Sequence, residues 1–113
     1  MRECRIVRDY RPQYAAPISV TRDAYVVVHR EDANYPGWWW CTAPDGRSGW
    51  MPLELLEPPV AAGAQARVVD DYSAIELAVT ADESVAVLEG WHGWLFVENE
   101  QGARGWIPAT VAV

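Results

Sequence analysis

The sequence predicts an all-β protein made of two small β-barrels in tandem, joined by a short linker. Three observations point there. The chain repeats itself, each copy breaks into short β-like runs punctuated by glycine turns, and no run keeps a helical period.

The repeat anchors the rest. Gly49-Trp50-Met51-Pro52 recurs 56 residues later as Gly105-Trp106-Ile107-Pro108, and at the same offset Gly37-Trp38 matches Gly93-Trp94 and Gly46 matches Gly102. Upstream, Val7-Arg8-Asp9-Tyr10 matches Val69-Asp70-Asp71-Tyr72, and Ile18–Asp23 matches Leu77–Asp82, so the landmarks keep one order in both copies. Arg11–Pro17 is longer than Ser73–Glu76, and His29–Gly37 is longer than Leu88–Gly93. Surface loops absorb such differences. The expected domains are residues 4–57 and 66–113. Residues 58–65 read as a linker, stiffened at its start by Pro58-Pro59.

Within each copy the strands follow in order. Tyr25–His29 and Ser84–Leu88 carry β-branched residues, followed by Trp38–Thr42 and Trp94–Glu98, then Gly49–Met51 and Gly105–Ile107. Asp45-Gly46 and Gln101-Gly102 fall between the last two runs, which is hairpin chemistry. Side chains alternate across a strand, so Trp38 and Trp40 share one face while Trp39 and Cys41 share the other. Likewise Trp94 and Phe96 oppose Leu95 and Val97. Cys41 and Val97 are expected inside, Trp38 and Trp94 at surfaces, and Trp50 and Trp106 in structural positions. At about 50 residues a barrel is the economical closure, because it leaves no exposed sheet edge.

The totals agree. The 113 residues are 50% hydrophobic and include 8 Gly, 8 Pro, 7 Trp and 5 Tyr. That is enough for two cores of the size at which domains of about 55–65 residues fold alone. The formal charge of −7, with no basic tract, argues against nucleic acid and anionic lipid as partners. Cys4 and Cys41 do not read as a disulfide framework. Met1-Arg2-Glu3-Cys4-Arg5 shows no apolar signal region, and no stretch approaches the roughly 18 apolar residues of a membrane span. The expectation is a cytoplasmic protein with reduced thiols and no membrane partner. His29 and His92 have no ligand neighbours at metal spacing, so neither a metal nor another cofactor is expected. Cys41 has no histidine placed beside it by the repeat, and there is no Ser-His-Asp set or glycine-rich phosphate loop. An enzyme is not expected.

With these residues in hand, the pattern resembles the Src-homology-3 family, in a bacterial-type variant. Ile6–Tyr10 and Val68–Tyr72 resemble its opening Ala-Leu-Tyr-Asp-Tyr. Ile18-Ser19-Val20 and Glu76-Leu77 resemble its Glu-Leu-Ser-Phe element, and Asp23 and Asp82 sit at its turn aspartate. Trp38-Trp39 and Trp94-Leu95 stand for its tandem tryptophans, and Gly49–Pro52 and Gly105–Pro108 for its closing motif. The resemblance implies a groove of aromatic rings for extended, proline-rich peptides. Carried over by position, the groove takes Tyr10, Trp38, Pro52 and Leu55 in the first copy, and Tyr72, Trp94, Pro108 and Val111 in the second.

The departures are specific. The family's first groove tyrosine is Arg8 in one copy and Asp70 in the other, and its last is Leu55 and Val111. Arg11–Pro17 contains no acid, and the shortened counterpart offers only Glu76. Two functions follow as expectations. One is a non-catalytic adaptor that binds a protein or peptide, proline-rich in type, through degenerate grooves on both domains. The alternative is a structural or oligomerisation module, including a homodimer, whose tryptophans form inter-domain or dimer interfaces.

Overall fold

The computed structural model describes residues 2–14 and 16–113; Met1 and Ala15, the latter inside the Arg11–Pro17 loop, lie outside them. The elements in chain order are β1 (Arg2–Arg5), β2 (Ser19–Val20), β3 (Tyr25–Glu31), β4 (Trp38–Thr42), β5 (Ser48–Pro52), a 3-10 turn (Leu53–Leu55), β6 (Gln65–Arg67), β7 (Tyr72–Ser73), β8 (Ser84–Trp91), β9 (Trp94–Glu98), β10 (Arg104–Pro108) and a second 3-10 turn (Ala109–Val111). The all-β class and the tandem of small barrel-like units are as the sequence predicts. Among the described residues, no helix is long and apolar enough to cross a membrane.

The chain divides into two compact units that are not the two repeats. One, the split unit, joins Met1–Ala15 to Ile75–Val113; the other, the continuous unit, is Ala16–Ala74. The expectation of barrels closed within 4–57 and within 66–113 therefore differs from the contacts in one respect. Each unit takes its first strand from the other repeat. Sequence comparison finds equivalent strands, but two equivalent slots bind either strand with the same hydrogen bonds, so the repeat cannot say which slot is filled by which copy.

In the split unit the sheet order is β1-β8-β9-β10. β1 runs antiparallel to β8 with Cys4 opposite Val85, and β9 is paired on both sides, with Val97 facing Val87 and Gly105. Cys4, Ile6, Val79, Val85, Val97, Ile107 and Val111 form the buried core. The barrel closes through bridges Ile6–Ala112 and Tyr10–Val79, and through the exchange of backbone hydrogen bonds between Arg5 and Val113 at 3.0 and 2.9 Å.

The continuous unit is built alike. Its sheet order is β5-β4-β3-β6, with β2 and β7 pairing separately. β6 runs along β3 with Ala66 opposite Val26. Ile18, Val20, Val26, Val28, Cys41, Met51, Leu56, Ala66 and Val68 supply its buried apolar side chains. Leu56 bridges Val68 where Ala112 bridges Ile6 in the other unit. Both units carry a bulge in the long strand, at His29 and at Leu88, where register shifts between Val28 and Arg30 and between Val87 and Glu89.

The exchanged strands are tied down in the same way twice. Asp23 and Asp82 hold the turns before β3 and β8 at φ 74° and 76°, a left-handed conformation that aspartate tolerates better than most side chains. Each then meets an arginine of the incoming strand, Arg67–Asp23 at 2.5 Å and Arg5–Asp82 at 3.2 Å; Arg67 also reaches Glu57 at 2.7 Å. These pairs are exposed and add little stability, so packing and backbone pairing hold the strands. Asp9 and Asp71 accept backbone hydrogen bonds from Ala81 and Arg22, the turn-capping role such acids usually have.

The predicted linker 58–65 joins two strands of one unit. It leaves the 3-10 turn after β5 and enters β6, and Gly63 and Ala64 are already bonded to the backbone of Val28 at 2.7 and 2.8 Å. The chain passes between units elsewhere, at residues 15–16 and 74–75.

Two glycines are required by close approach. A Cβ on Gly105 would lie 2.7 Å from the Leu77 nitrogen and 2.8 Å from the Glu76 carbonyl carbon; on Gly49 it would lie 2.7 Å from the Ile18 Cγ2. Backbone cannot step aside as a side-chain tip can. Gly105→Ala is therefore expected to cost about 2–3 kcal/mol and Gly49→Ala about 1–2 kcal/mol in urea unfolding, with Gly105→Ala the larger.

Cys41 is buried, as its face predicted, and burial pushes its thiol up to about 12 from 9.0. An unfolded chain would lose that proton near pH 9 while the native chain keeps it. Stability should therefore fall as pH rises from about 9 toward 12, and Cys41→Ala should flatten that slope after its own cavity cost. In the folded protein the thiol should resist alkylation at pH 8 and react once the chain is denatured.

Candidate functional site

The strand exchange re-sorts the expected groove. Tyr10 shares a unit with Trp94, Pro108 and Val111, whereas Tyr72 shares one with Trp38, Pro52 and Leu55. The grouping by repeat, Tyr10 with Trp38 and Tyr72 with Trp94, is thereby replaced. The opening motif travels with the exchanged strand, and the remaining positions stay with their own repeat.

In the split unit Trp94 stands opposite Pro108 across β9 and β10. The Tyr10 ring meets the Trp94 indole edge-on, with centroids 6.0 Å apart and planes at 79°. Such an arrangement suits the opposed quadrupoles of edge and face. The Tyr10 hydroxyl donates to the Glu76 carboxylate, the one acid of the shortened loop. Tyr10, Glu76 and Trp94 are all half-buried, while Pro108 and Val111 are buried. Arg8, at the family's first tyrosine position, turns its guanidinium onto the Thr110 carbonyl at 2.8 Å. The result is a half-buried ring pair with a carboxylate at one end.

The continuous unit repeats the frame with a different outcome. Trp38 again faces Pro52, and the Tyr72 hydroxyl donates to the Trp50 carbonyl at 2.8 Å. Here the rings are covered. Trp38 is 4% exposed and Tyr72 9%, Pro52 is fully buried, and only Leu55 is half-buried. The expectation of a surface indole at both Trp38 and Trp94 thus meets the structure at Trp94 alone. Face alternation assigns a side chain to a face but does not say what lies over it. Of the two indoles expected in structural positions, Trp106 is buried and Trp50 is half-buried.

One arrangement was not read from the sequence. Arg30, Trp40 and Trp50 are consecutive cross-strand partners over β3, β4 and β5. The Arg30 guanidinium lies 5.0 Å from the Trp50 ring centre and 6.0 Å from Trp40, and the two indoles meet edge-on at 5.0 Å. The same register in the other unit brings together Glu89, Phe96 and Trp106, with the Glu89 carboxylate accepting from the Trp91 indole at 2.5 Å. The signal was present in the alternation of Trp38 and Trp40. The bulge at His29 hid it by shifting the register that places Arg30 beside them.

Among the described residues there is no group of three or more His, Cys, Asp or Glu side chains that could hold a metal ion. His29 bonds the Thr42 hydroxyl at 2.8 Å.

Comparison with known proteins gives one finding. A family model described as variant SH3 domain matches the chain twice, over residues 4–58 and 66–112. No curated protein and no solved structure matches.

Tyr10 and Glu76 come from different repeats, so their hydrogen bond can be weighed directly. Tyr10→Phe and Glu76→Gln should each destabilise the protein, and the double-mutant cycle should return a coupling of about 1–2 kcal/mol, as for a hydrogen bond to a charged group. Pairing Tyr72→Phe with Glu76→Gln should give additive effects.

Proposed function

Because the chain belongs to the variant SH3 domain family over both of its halves, whose domains generally mediate protein–protein interactions and are typically non-catalytic, we propose that it is a non-enzymatic adaptor in the cytoplasm that binds an extended peptide segment in the split unit. The half-buried rings of Tyr10 and Trp94 form the contact surface, with Glu76 at its end and the buried Pro108 and Val111 as its supporting positions. The observation that carries this reading is the edge-on Tyr10–Trp94 pair, half-buried and flanked by a carboxylate. Flat rings at this spacing suit a proline-rich segment, which is already extended and loses little entropy on docking. The Glu76 carboxylate and the net charge of −7 favour a segment that carries Arg or Lys. The covered Trp38, Tyr72 and Pro52 make the continuous unit the supporting partner.

A second reading is favoured by burial. Trp38 and Trp106 are each 4% exposed, the behaviour of indoles used for packing. On that reading the chain is a structural module, and its remaining aromatic surface serves self-association into a homodimer.

Tryptophan-fluorescence titration against a library of proline-rich peptides separates the two. Trp94→Ala should weaken the best binder at least about tenfold, which is roughly 1.4 kcal/mol. Trp38→Ala should act on stability instead. Absence of any binder in the library, with a dimer seen by sedimentation, would leave the structural reading standing and remove the adaptor.

A further inference from the structure

The pairing that defines the exchange is reciprocal. Tyr10 bridges Val79, and Val20 pairs with Tyr72, so each opening tyrosine meets the strand that follows it in the other repeat. Had each repeat closed on itself in the same register, Tyr10 would face Val20 and Tyr72 would face Val79.

The two alternatives are not equally open to the chain. Nine residues, Arg11–Ser19, separate Tyr10 from Val20, which leaves room for a wide loop. Only six, Ser73–Ala78, separate Tyr72 from Val79. Antiparallel pairing carried inward from Tyr72 and Val79 would leave Ile75-Glu76 as a two-residue turn. Turns of that length need positive φ at one or both central residues, which glycine, asparagine and aspartate supply and a β-branched isoleucine resists.

A wider turn is blocked by the bonds that Ile75 and Leu77 make to Trp106 inside the second repeat, which either pairing would keep. In the exchanged form the segment is also held on its other side. Ser73 is paired with Ser19 in the continuous unit. Two residues on, the Trp106 nitrogen donates to the Ile75 carbonyl at 2.9 Å, and the Leu77 nitrogen donates to the Trp106 carbonyl at 3.1 Å in the split unit. The Leu77 backbone is seated on Gly105, where no Cβ would fit. Ala74 adds no slack between the two sets of bonds, since its own nitrogen donates to the Ile18 carbonyl at 3.0 Å. The first repeat passes between units through the longer Arg11–Pro17.

We propose that the short Ser73–Ala78 connector is a length lock that forces the two repeats to exchange their first strands. Unable to turn back, β6 and β7 occupy the slot beside β3 and β2, and β1 takes the slot left beside β8. The exchange in turn builds the Tyr10–Glu76–Trp94 cluster from both repeats, so neither repeat alone carries it. This inference stands whether or not that cluster binds a peptide. Short hinge segments are a general cause of strand exchange, and lengthening them relieves it.

Cysteine pairs across the sheet read out which slot is filled. Glu3 faces Ala86, and Gln65, which holds the place of Glu3 in the second repeat, faces Val27. In the unaltered chain, E3C/A86C should bridge within a monomer and E3C/V27C should not, as read by peptide mapping and by mass under denaturing conditions. Inserting Gly-Ser-Gly between Ala74 and Ile75 restores the length of the first connector. Ile75→Asn with Glu76→Gly supplies the missing turn residues at unchanged length. Either change should lose the E3C–A86C bridge and gain E3C–V27C. Retention of the full E3C–A86C bridge in both variants would overturn the proposal. So would an E3C–V27C bridge in the unaltered chain, or a bridge found only at dimer mass. Loss of folding in both variants, by circular dichroism, would also count against it, since a relaxed connector should fold at least as readily.

Discussion

Backbone pairing of β1 with β8 and of β6 with β3 is the constraint from which the remaining structure follows. Each borrowed strand brings one wall of a small core. Cys4 and Ile6 complete the apolar interior around Val79, Val85, Val97 and Ile107, while Ala66 and Val68 do the same beside Val26 and Val28. A barrel of about fifty residues has no surplus of apolar area, so losing one strand would open its interior to water along an entire side. Neither unit has a spare strand within its own repeat. In the exchanged arrangement the stability of each barrel therefore depends on a strand from the other repeat, and the two behave as one folding problem.

The same pairing sets the chemistry of the site. Tyr10 and Glu76 meet although 66 residues separate them, because one enters on the exchanged strand and the other on the connector that follows β7. Duplication usually yields two copies of a surface. Here the two grooves share a frame and differ in outcome, one with half-buried rings and a carboxylate, the other with its indole and proline covered. The outer faces also diverge, with Arg30 over Trp50 in one unit and Glu89 beside Phe96 in the other.

Much of this was legible from residue order. Turn residues located the hairpins, since Asp45-Gly46 and Gln101-Gly102 can adopt the backbone a tight connection needs. Alternation placed Cys41 and Val97 inside, where the structure has them. The repeat gave the strand equivalences and the two matched regions. What residue order did not carry was partnership. The hydrogen bonds of Ile6 with Glu83 and of Val68 with Ala24 are alike, so nothing in the strands themselves distinguishes own from exchanged pairing. The difference lay in a loop, where Ser73–Glu76 is shorter than Arg11–Pro17, and it was legible there only as tolerated length variation. Trp38 was misplaced for a related reason, because alternation resolves direction and is silent about cover.

The run from Pro58 to Gln65 looks like a place to divide the molecule, and the fold makes it the opposite. It joins neighbouring strands of a single unit, and its last residues are already hydrogen-bonded to β3. A protease that cut there would sever the chain without separating anything, since each fragment would still hold strands in both sheets. The nicked protein would migrate as one particle until a denaturant freed the halves. Subcloning at that seam would give two unequal pieces, the first long enough in its connector to seat its own β1 and the second, with the short Ser73–Ala78, deprived of a wall.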